Sequence, residues 1–332
     1  MLRKACTSAA KRLRREVPVR GLFFLPEDSR RQLERWLRGR EEFRSLRHAD
    51  VAIVSCGKSG RTWLRMLVSR FFQIRYGFSG GALISGSNLH HLHKDIPRIL
   101  LTHDSYLKYY TGNFQTKFEY RTIKTMLLAR HPADVAVSQY FQWKYRIQPR
   151  KKWLNEYPTH DSPISMFDLV MHRHAGVPYV VAFLNSWKRE WEARSDLVVV
   201  RYEDMLADTR GQLGRMLSFL GFEATDVELE ECVRFASFEN MRRIEDQGVF
   251  WLSGRAMRKT NSTDPEMFKV RRGRAGGWRD YFSDDEVAAI DSYIEENLEP
   301  GFGYLQSERN GPVALGADPG LALERAGEVR RA

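Results

Sequence analysis

The sequence predicts an α/β fold of three layers, with a mostly parallel central sheet and helices on both faces. Short apolar or β-branched runs that stop at turn residues alternate with segments whose apolar residues recur at helical spacing, the pattern of a sheet covered on both sides. A chain of 332 residues, 42% of them hydrophobic, is long enough to bury such a core. Neither an internal repeat nor a break in composition divides it, so one central domain is expected, over residues 48–306.

The elements come in chain order. Residues 1–47 form a basic N-terminal extension with fourteen Lys/Arg against six Asp/Glu, a surplus of eight in a chain of formal charge +11. A basic, partly amphipathic helix there could make peripheral contact with an anionic membrane or bind nucleic acid. A flexible solubilising arm is the simpler reading, and no nucleic-acid partner is expected. Residues 51–54 (VAIV) read as a buried strand that stops at Gly57-Lys58-Ser59-Gly60, after which TWLRMLVSRFF has helical spacing. Gly57 and Gly60 free the backbone of that turn. Amide N–H groups at such a helix N-terminus converge on an anion, and Lys58 adds a full positive charge where a phosphate would sit. The loop is P-loop-like without being a nucleoside-triphosphate loop, because G-x-x-x-x-G-K-[ST] needs a glycine five residues before Gly57 and that residue is Ala52.

Residues 98–102 (RILLT) read as another buried strand, with His103 emerging at its C-terminal end, where open α/β sheets present their sites. Met126, Leu127 and Leu128 mark a further strand. Arg130 comes after it and offers a phosphate a planar fork of donors, while Ser138 lies near the start of the helix that Pro132 introduces. Both could reach one anion. The run LVVV at 197–200 precedes Tyr202 and a helical segment ending near Gly221, and Phe238 lies in FASFENM at 235–241. Residues 241–270 mix charge, glycine and aromatics in the manner of a mobile cover. In KVRRGRAGGWRDY the pair Arg271 and Arg272 stands beside Gly273, which suits a doubly charged phosphate because amides and guanidiniums can approach together. Residues 307–332 are rich in Gly, Ala and Pro with little apolar periodicity, and a disordered tail is expected.

Four of these segments, in order over about residues 50–300, resemble the motifs of the sulfotransferases that use 3′-phosphoadenosine 5′-phosphosulfate (PAPS). Residues 57–63 are similar to the 5′-phosphosulfate loop P-K-S-G-T-T-W, with Gly57 for proline and Arg61 for threonine. Residues 130–138 resemble the 3′-phosphate motif R-[ND]-P-x-D-V-x-V-S, with His131 at a variable place. The segment around Arg271 resembles R-K-G-x-x-G-D-W, with Arg272 for lysine and Gly277 for aspartate. The Tyr202 and Phe238 segments resemble those lining the adenine site, although Ala236 stands where threonine is common. The resemblance implies a soluble, cytosolic-type sulfotransferase. It places Lys58, Ser59, Gly60, Arg61 and Thr62 at the 5′-phosphosulfate and Arg130, Ser138, Arg271, Arg272 and Gly273 at the 3′-phosphate. Trp63, Tyr202 and Phe238 would stack around the base.

It further implies direct in-line transfer with three catalytic residues, His103, Lys58 and Ser138. His103 would act as general base, an imidazole that titrates near neutrality being suited to the task. Lys58 would meet charge growing on the bridging oxygen of the leaving 5′-phosphate. Ser138 would bond both the 3′-phosphate and Lys58, holding the lysine away until an acceptor arrives. Leu101 replaces a lysine common at its place in the animal cytosolic members.

No metal is expected, since His90, His91 and His93 do not follow a ligand spacing and only Cys56 lies nearby. Cys6, Cys56 and Cys232 are too few and scattered for a disulfide framework, which points to a reducing compartment. No stretch approaches the ~20 apolar residues of a membrane span. Charges interrupt residues 1–17 where a signal peptide needs an apolar core, so a cytoplasmic location is expected. The acceptor stays open among small molecules, lipids and saccharides, through a hydroxyl or an amine. Tyr106, Tyr109, Tyr110, Phe141, Trp143, Phe250 and Trp251 either wall its pocket or pack the core. Oligomeric state is open too, since residues 282–286 do not reproduce the animal dimer motif. Two rival readings are an ATP-dependent kinase, which needs Mg²⁺ and a triphosphate loop, and a non-catalytic basic module. The second leaves the coincidence of Lys58, His103, Arg130 and Ser138 unexplained.

Overall fold

Every residue of 51–55 is buried, which a central strand covered on both faces requires. In the computed structural model, which describes residues 21–79, 81–247 and 265–309, this strand is β1 (Val51–Ser55). With β2 (Ile99–Thr102), β3 (Lys124–Ala129) and β4 (Leu197–Arg201) it forms an all-parallel sheet in the order β2-β1-β3-β4. Val54 pairs with Thr102 and Leu127, and Ala129 with Arg201, so the C-terminal ends of all four strands come out along one edge.

Side chains alternate across this sheet with the two-residue period of a strand. Ala52, Val54, Leu127, Ala129, Leu197 and Val199 face one core, and Val51, Ile53, Met126, Leu128 and Val200 face the other. The helices that cover the sheet and frame its crevice are α1 (Glu27–Leu46), α2 (Arg61–Tyr76), α3 (Leu107–Thr111), α4 (Pro132–Tyr145), α5 (Pro149–Leu154), α6 (Val177–Glu192), α7 (Thr209–Phe219), α8 (Asp226–Phe235), α9 (Phe238–Gln247) and α10 (Asp284–Asn297). Val180, Leu184 and Trp187 of α6 close the first core, and Leu64, Leu67 and Phe71 of α2 with Leu213 and Leu217 of α7 close the second. The expected three-layer α/β architecture is therefore the observed one. Because the chain passes from β1 outward to β2 and then back across β1 to β3, the sheet has a switch point between β1 and β3, where the loops after those two strands part and leave a crevice.

The flexible arm expected before residue 48 does not describe residues 27–46. They form α1, which packs on α3: Gly39 lies so close that a Cβ would run into the Tyr106 carbonyl oxygen. Arg35 donates two bonds to the Leu154 carbonyl at 3.0 and 2.8 Å. The buried stripe consists of Glu34, Arg35, Gly39 and Leu46, mostly not apolar residues, so hydrophobic periodicity could not reveal it. Residues 1–20, with Cys6, fall outside the described residues. So do 248–264, which hold Phe250, Trp251 and most of the expected cover, and 310–332 of the expected tail.

Cys56 and Cys232 are buried free thiols. Ser283 and Glu286 form a reciprocal capping box that starts α10, which gives the unmatched 282–286 segment a local structural role. Among the described residues no helix is long and apolar enough to cross a membrane.

Candidate active site

The loop after β1 folds as it does because two residues take left-handed backbone, Lys58 at φ 76° and Gly60 at φ 95°. Glycine is required at the second: a Cβ there would stand 2.5 Å from Cδ2 of the buried Tyr202. Gly60 caps α2 without a side-chain hydrogen bond, so the first amides of the helix are left to whatever anion the loop holds. Arg130, from the end of β3, donates through Nη1 to the Lys58 carbonyl at 3.2 Å and pins the loop to the sheet. Ser59 is buried behind the loop.

His103 leaves β2 beside this loop. Its Nδ1 lies 2.8 Å from the Ser55 carbonyl oxygen. A carbonyl can only accept, so Nδ1 carries the proton and Nε2 keeps its lone pair. Arg61 points Nη2 into that lone pair at 2.6 Å. Burial first, then the Arg61 charge, depress the imidazole pKa well below its ordinary value, and the ring is neutral. Lys58 Nζ donates to Oε1 of Gln142 at 3.0 Å. Gln142 lies one turn beyond Ser138 on α4, so the lysine is held from the expected helix through a residue the sequence did not single out. Burial, and then the charges of Lys269, Arg146, Arg130 and Arg271, push the Lys58 ammonium well below its usual pKa.

Another residue missed in the sequence is Glu42 of α1. It accepts from the Thr102 hydroxyl and, at 3.3 Å, from the Tyr106 amide. Burial and then Asp104 raise its carboxyl to about 7.

The other end of the site is built from α4 and the glycine-rich segment. Asp134 accepts the amides of Gly276 at 2.7 Å and Trp278 at 3.2 Å, tying that segment to the first turn of α4. Glu245 of α9, fully buried, accepts the amides of Lys269 and Val270 at 2.8 and 2.9 Å, and fixes the approach to the same segment. Over residues 241–247, then, the expected cover is anchored helix. The Arg130 guanidinium lies 4.1 Å above the Tyr202 ring, and its Nη2 donates to the Arg274 carbonyl at 3.3 Å. Arg271 rests 3.9 Å over Phe141 and donates to the Tyr281 hydroxyl, and Arg272 meets Asp280 at 2.6 Å. Gly273 takes φ 62°, and a Cβ there would stand 2.6 Å from Phe238. Trp63 meets Tyr202 edge-on at 5.6 Å, with Phe238 half-exposed nearby along the same wall.

These groups share one cavity of ≈ 580 Å³. Lys58, Gly60, Arg61, Thr62, Trp63, His103, Arg130, Ser138, Tyr202, Phe238, Arg271, Arg272 and Gly273 all line it; Ser59 is the one expected site residue that does not. Nine Lys/Arg side chains border it against a single carboxylate, Asp134, whose oxygens are taken by backbone amides. Arg130 Nε and Arg61 Nη1 are buried without a hydrogen-bond partner, each at a cost of about 1–3 kcal/mol that an anion would remove. The arrangement can hold a polyanion beside a neutral imidazole.

Five aromatics offered for the pocket wall do not reach it. Tyr109 and Tyr110 pack against Arg35, Trp36 and Phe43 of α1, Tyr106 bonds Asn155 at 2.6 Å, Trp143 donates to the Pro158 carbonyl at 2.9 Å, and Phe141 belongs to the core. The rings beyond His103 are Tyr157 and Tyr179 instead. His90, His91 and His93 are separately engaged, with the Ile96 carbonyl, Ser87 and the Tyr76 ring. No group of three metal-ligating side chains occurs among the described residues.

A family profile described as a sulfotransferase domain matches residues 48–301. The chain is similar to mouse sulfotransferase 2A2, 22% identical over 275 residues that cover 76% of this chain and 85% of that protein. It is similar also to flavonol 3-sulfotransferase of Flaveria bidentis, 25% identical over 268 residues covering 75% and 81%. Of solved structures, mouse sulfotransferase SULT7A1 complexed with PAP superposes with a TM-score of 0.51 at 21% identity, over 79% of this chain and 90% of that one. Retinol dehydratase in a complex with retinol and PAP gives 0.52 at 18% identity, over 76% and 82%.

Proposed function

The chain belongs to the sulfotransferase family, and from that premise we propose that it moves the sulfonate of PAPS in line onto a hydroxyl or amine of a small acceptor, with His103 as general base. The observation that carries this is the neutral imidazole, proton on Nδ1 and lone pair on Nε2, in the same cavity as the Lys58 loop and Arg130. Loop amides, Lys58 and Thr62 would hold the 5′-phosphosulfate. Arg130, Ser138, Arg271 and Arg272 would hold the 3′-phosphate, with the base among Trp63, Tyr202 and Phe238. The PAP bound in the two structural neighbours supports this donor.

In the reaction the acceptor oxygen or nitrogen bonds to sulfur as the bond from sulfur to the bridging oxygen breaks. The acceptor's proton goes to Nε2, and PAP leaves with its new charge facing Lys58. Arg61 has to withdraw from Nε2 for this to happen, and the sulfonate is the anion that would draw it off. Small-molecule acceptors are supported by the relatives named for a flavonol and by the neighbour holding retinol. Relatives named cytosolic sulfotransferases support a cytoplasmic location.

Turnover of PAPS to PAP, with the best acceptor from a screen of alcohols and phenols, tests the role of the base. His103→Ala should lower transfer by about 10²–10⁴ while PAP still binds. Wild-type transfer by that variant contradicts the assignment.

A further inference from the structure

Helix α1 brings a carboxylate to the turn on which His103 stands. Glu42 accepts from the Thr102 hydroxyl through Oε1 and from the Tyr106 amide through Oε2 at 3.3 Å, so it holds the chain on both sides of His103. The Thr102 hydroxyl oxygen in turn accepts the Asp104 amide at 2.9 Å. Neither Glu42 nor Thr102 lines the cavity. We propose that Glu42 is a positioning residue for transfer, acting through the Thr102 hydroxyl to hold the His103 turn in the shape that aims the imidazole at the acceptor. This deepens the transferase reading and rests on it.

The turn needs holding. Asp104, directly after His103, takes left-handed backbone at φ 50°, which a residue with a Cβ adopts only where its surroundings impose it. Its carboxylate is fixed from one side by Lys117 Nζ at 2.6 Å and the Tyr120 hydroxyl at 3.0 Å. Its backbone is fixed from the other side through Thr102, and so by Glu42. Helix α1 is seated close enough for this, with Gly39 against the Tyr106 carbonyl and Phe43 packed on Tyr110 at 5.4 Å. The sulfotransferase-domain match begins at residue 48, so this support comes from outside it.

The charged and titratable groups that act with Glu42 are Asp104 and Tyr106 from the turn, Arg61 from α2 and Tyr120 beyond α3. As an anion Glu42 accepts both of its bonds and favours the charged form of Arg61. Protonated, it loses that charge and carries a hydrogen that competes with the one Thr102 donates. Its carboxyl is raised to about 7, so the support is complete above that pH and weakens as pH falls through it. His103 cannot cause such a limb, because its own pKa lies well below 6.5.

The test is kcat/KM for PAPS turnover, with the best acceptor of the alcohol and phenol screen, across about pH 5–9, since this ratio reports groups of the free enzyme. Wild type, Glu42→Gln, Thr102→Val and Thr102→Ser are compared, with PAP affinity measured alongside by calorimetry. Wild type should show an acidic limb near 7. Glu42→Gln should lose the limb and transfer about 10- to 100-fold more slowly above it, with PAP still bound. Thr102→Val should slow transfer comparably and add little to Glu42→Gln, because both cut one path, and Thr102→Ser should restore the rate. The glutamine variant also separates this limb from any due to Lys269, whose ammonium is lowered to about 7. A wild-type profile without the limb, a limb that survives Glu42→Gln, or full-rate transfer by Glu42→Gln overturns this inference alone. Should Glu42→Gln not fold, full-rate transfer by Thr102→Val overturns it. Wild type that neither binds PAP nor transfers sulfonate overturns the transferase reading and this inference with it.

Discussion

His103 sits between two partners that settle its protonation, the Ser55 carbonyl on Nδ1 and the Arg61 guanidinium on Nε2. Both favour the neutral ring, one by accepting its single proton and the other by repelling a second, and burial acts in the same direction. A folded-state pKa below the ordinary 6.5 means that the imidazole stays neutral as pH falls through the range where an exposed histidine would protonate. The expected outcome of an NMR titration of the unliganded protein is that the His103 ring signals do not move as pH passes 6.5. In Arg61→Met the midpoint should rise, without fully recovering, because burial remains the larger cause. A wild-type midpoint near 6.5 would show that Arg61 and burial do not act on the ring as described. At this scale the sequence exposed residues that share the cavity and lie within a motif, Lys58, Arg130 and His103. It hid Gln142 and Glu42, whose roles exist through partners 84 and 60 residues away. Only folding brings those pairs together.

The strands were readable because each is a short apolar run ended by a turn or a polar residue, and β1 to β4 lie where those runs lie. Helix α1 was not, since its packed face is Glu34, Arg35 and Gly39 rather than an apolar stripe. Between these extremes is Asp134. It stands inside a legible motif, yet its work is visible only in the structure, where both carboxylate oxygens accept backbone amides of the glycine-rich segment. That joint ties the segment to α4, and Arg130 bonds the same segment at the Arg274 carbonyl. Asp134→Asn keeps shape and volume but loses one acceptor and the charge. It should weaken PAP binding by about tenfold or more with a modest loss of stability, read by calorimetry and thermal unfolding. Unaltered PAP affinity in that variant would mean that the segment is positioned without Asp134.

Across the whole molecule, one edge of the sheet supplies the site: Lys58 comes after β1, His103 after β2, Arg130 after β3 and Tyr202 after β4. The parallel strands therefore deliver a glycine-lysine loop, an imidazole, a guanidinium and an aromatic ring to one cavity, and the positive charge around it suits a polyanion. The fold class could be read from strand runs, and the residues proposed for the donor from motifs. Those that line the cavity elsewhere could not, because Ile147, Lys151, Tyr157 and Tyr179 come from helices and loops that no short pattern marks, and the aromatics that looked suitable turn inward to the core or onto α1. The central claim is that this cavity binds the PAPS nucleotide through its own amides, cations and aromatic rings, without a metal. Its most direct test is calorimetric binding of PAP in EDTA against ATP with Mg²⁺, on the wild type and on Arg130→Ala. Tight metal-free PAP binding, weakened about 10²-fold or more by Arg130→Ala, is the predicted result. Preference for ATP with Mg²⁺, or PAP binding indifferent to Arg130, would contradict it.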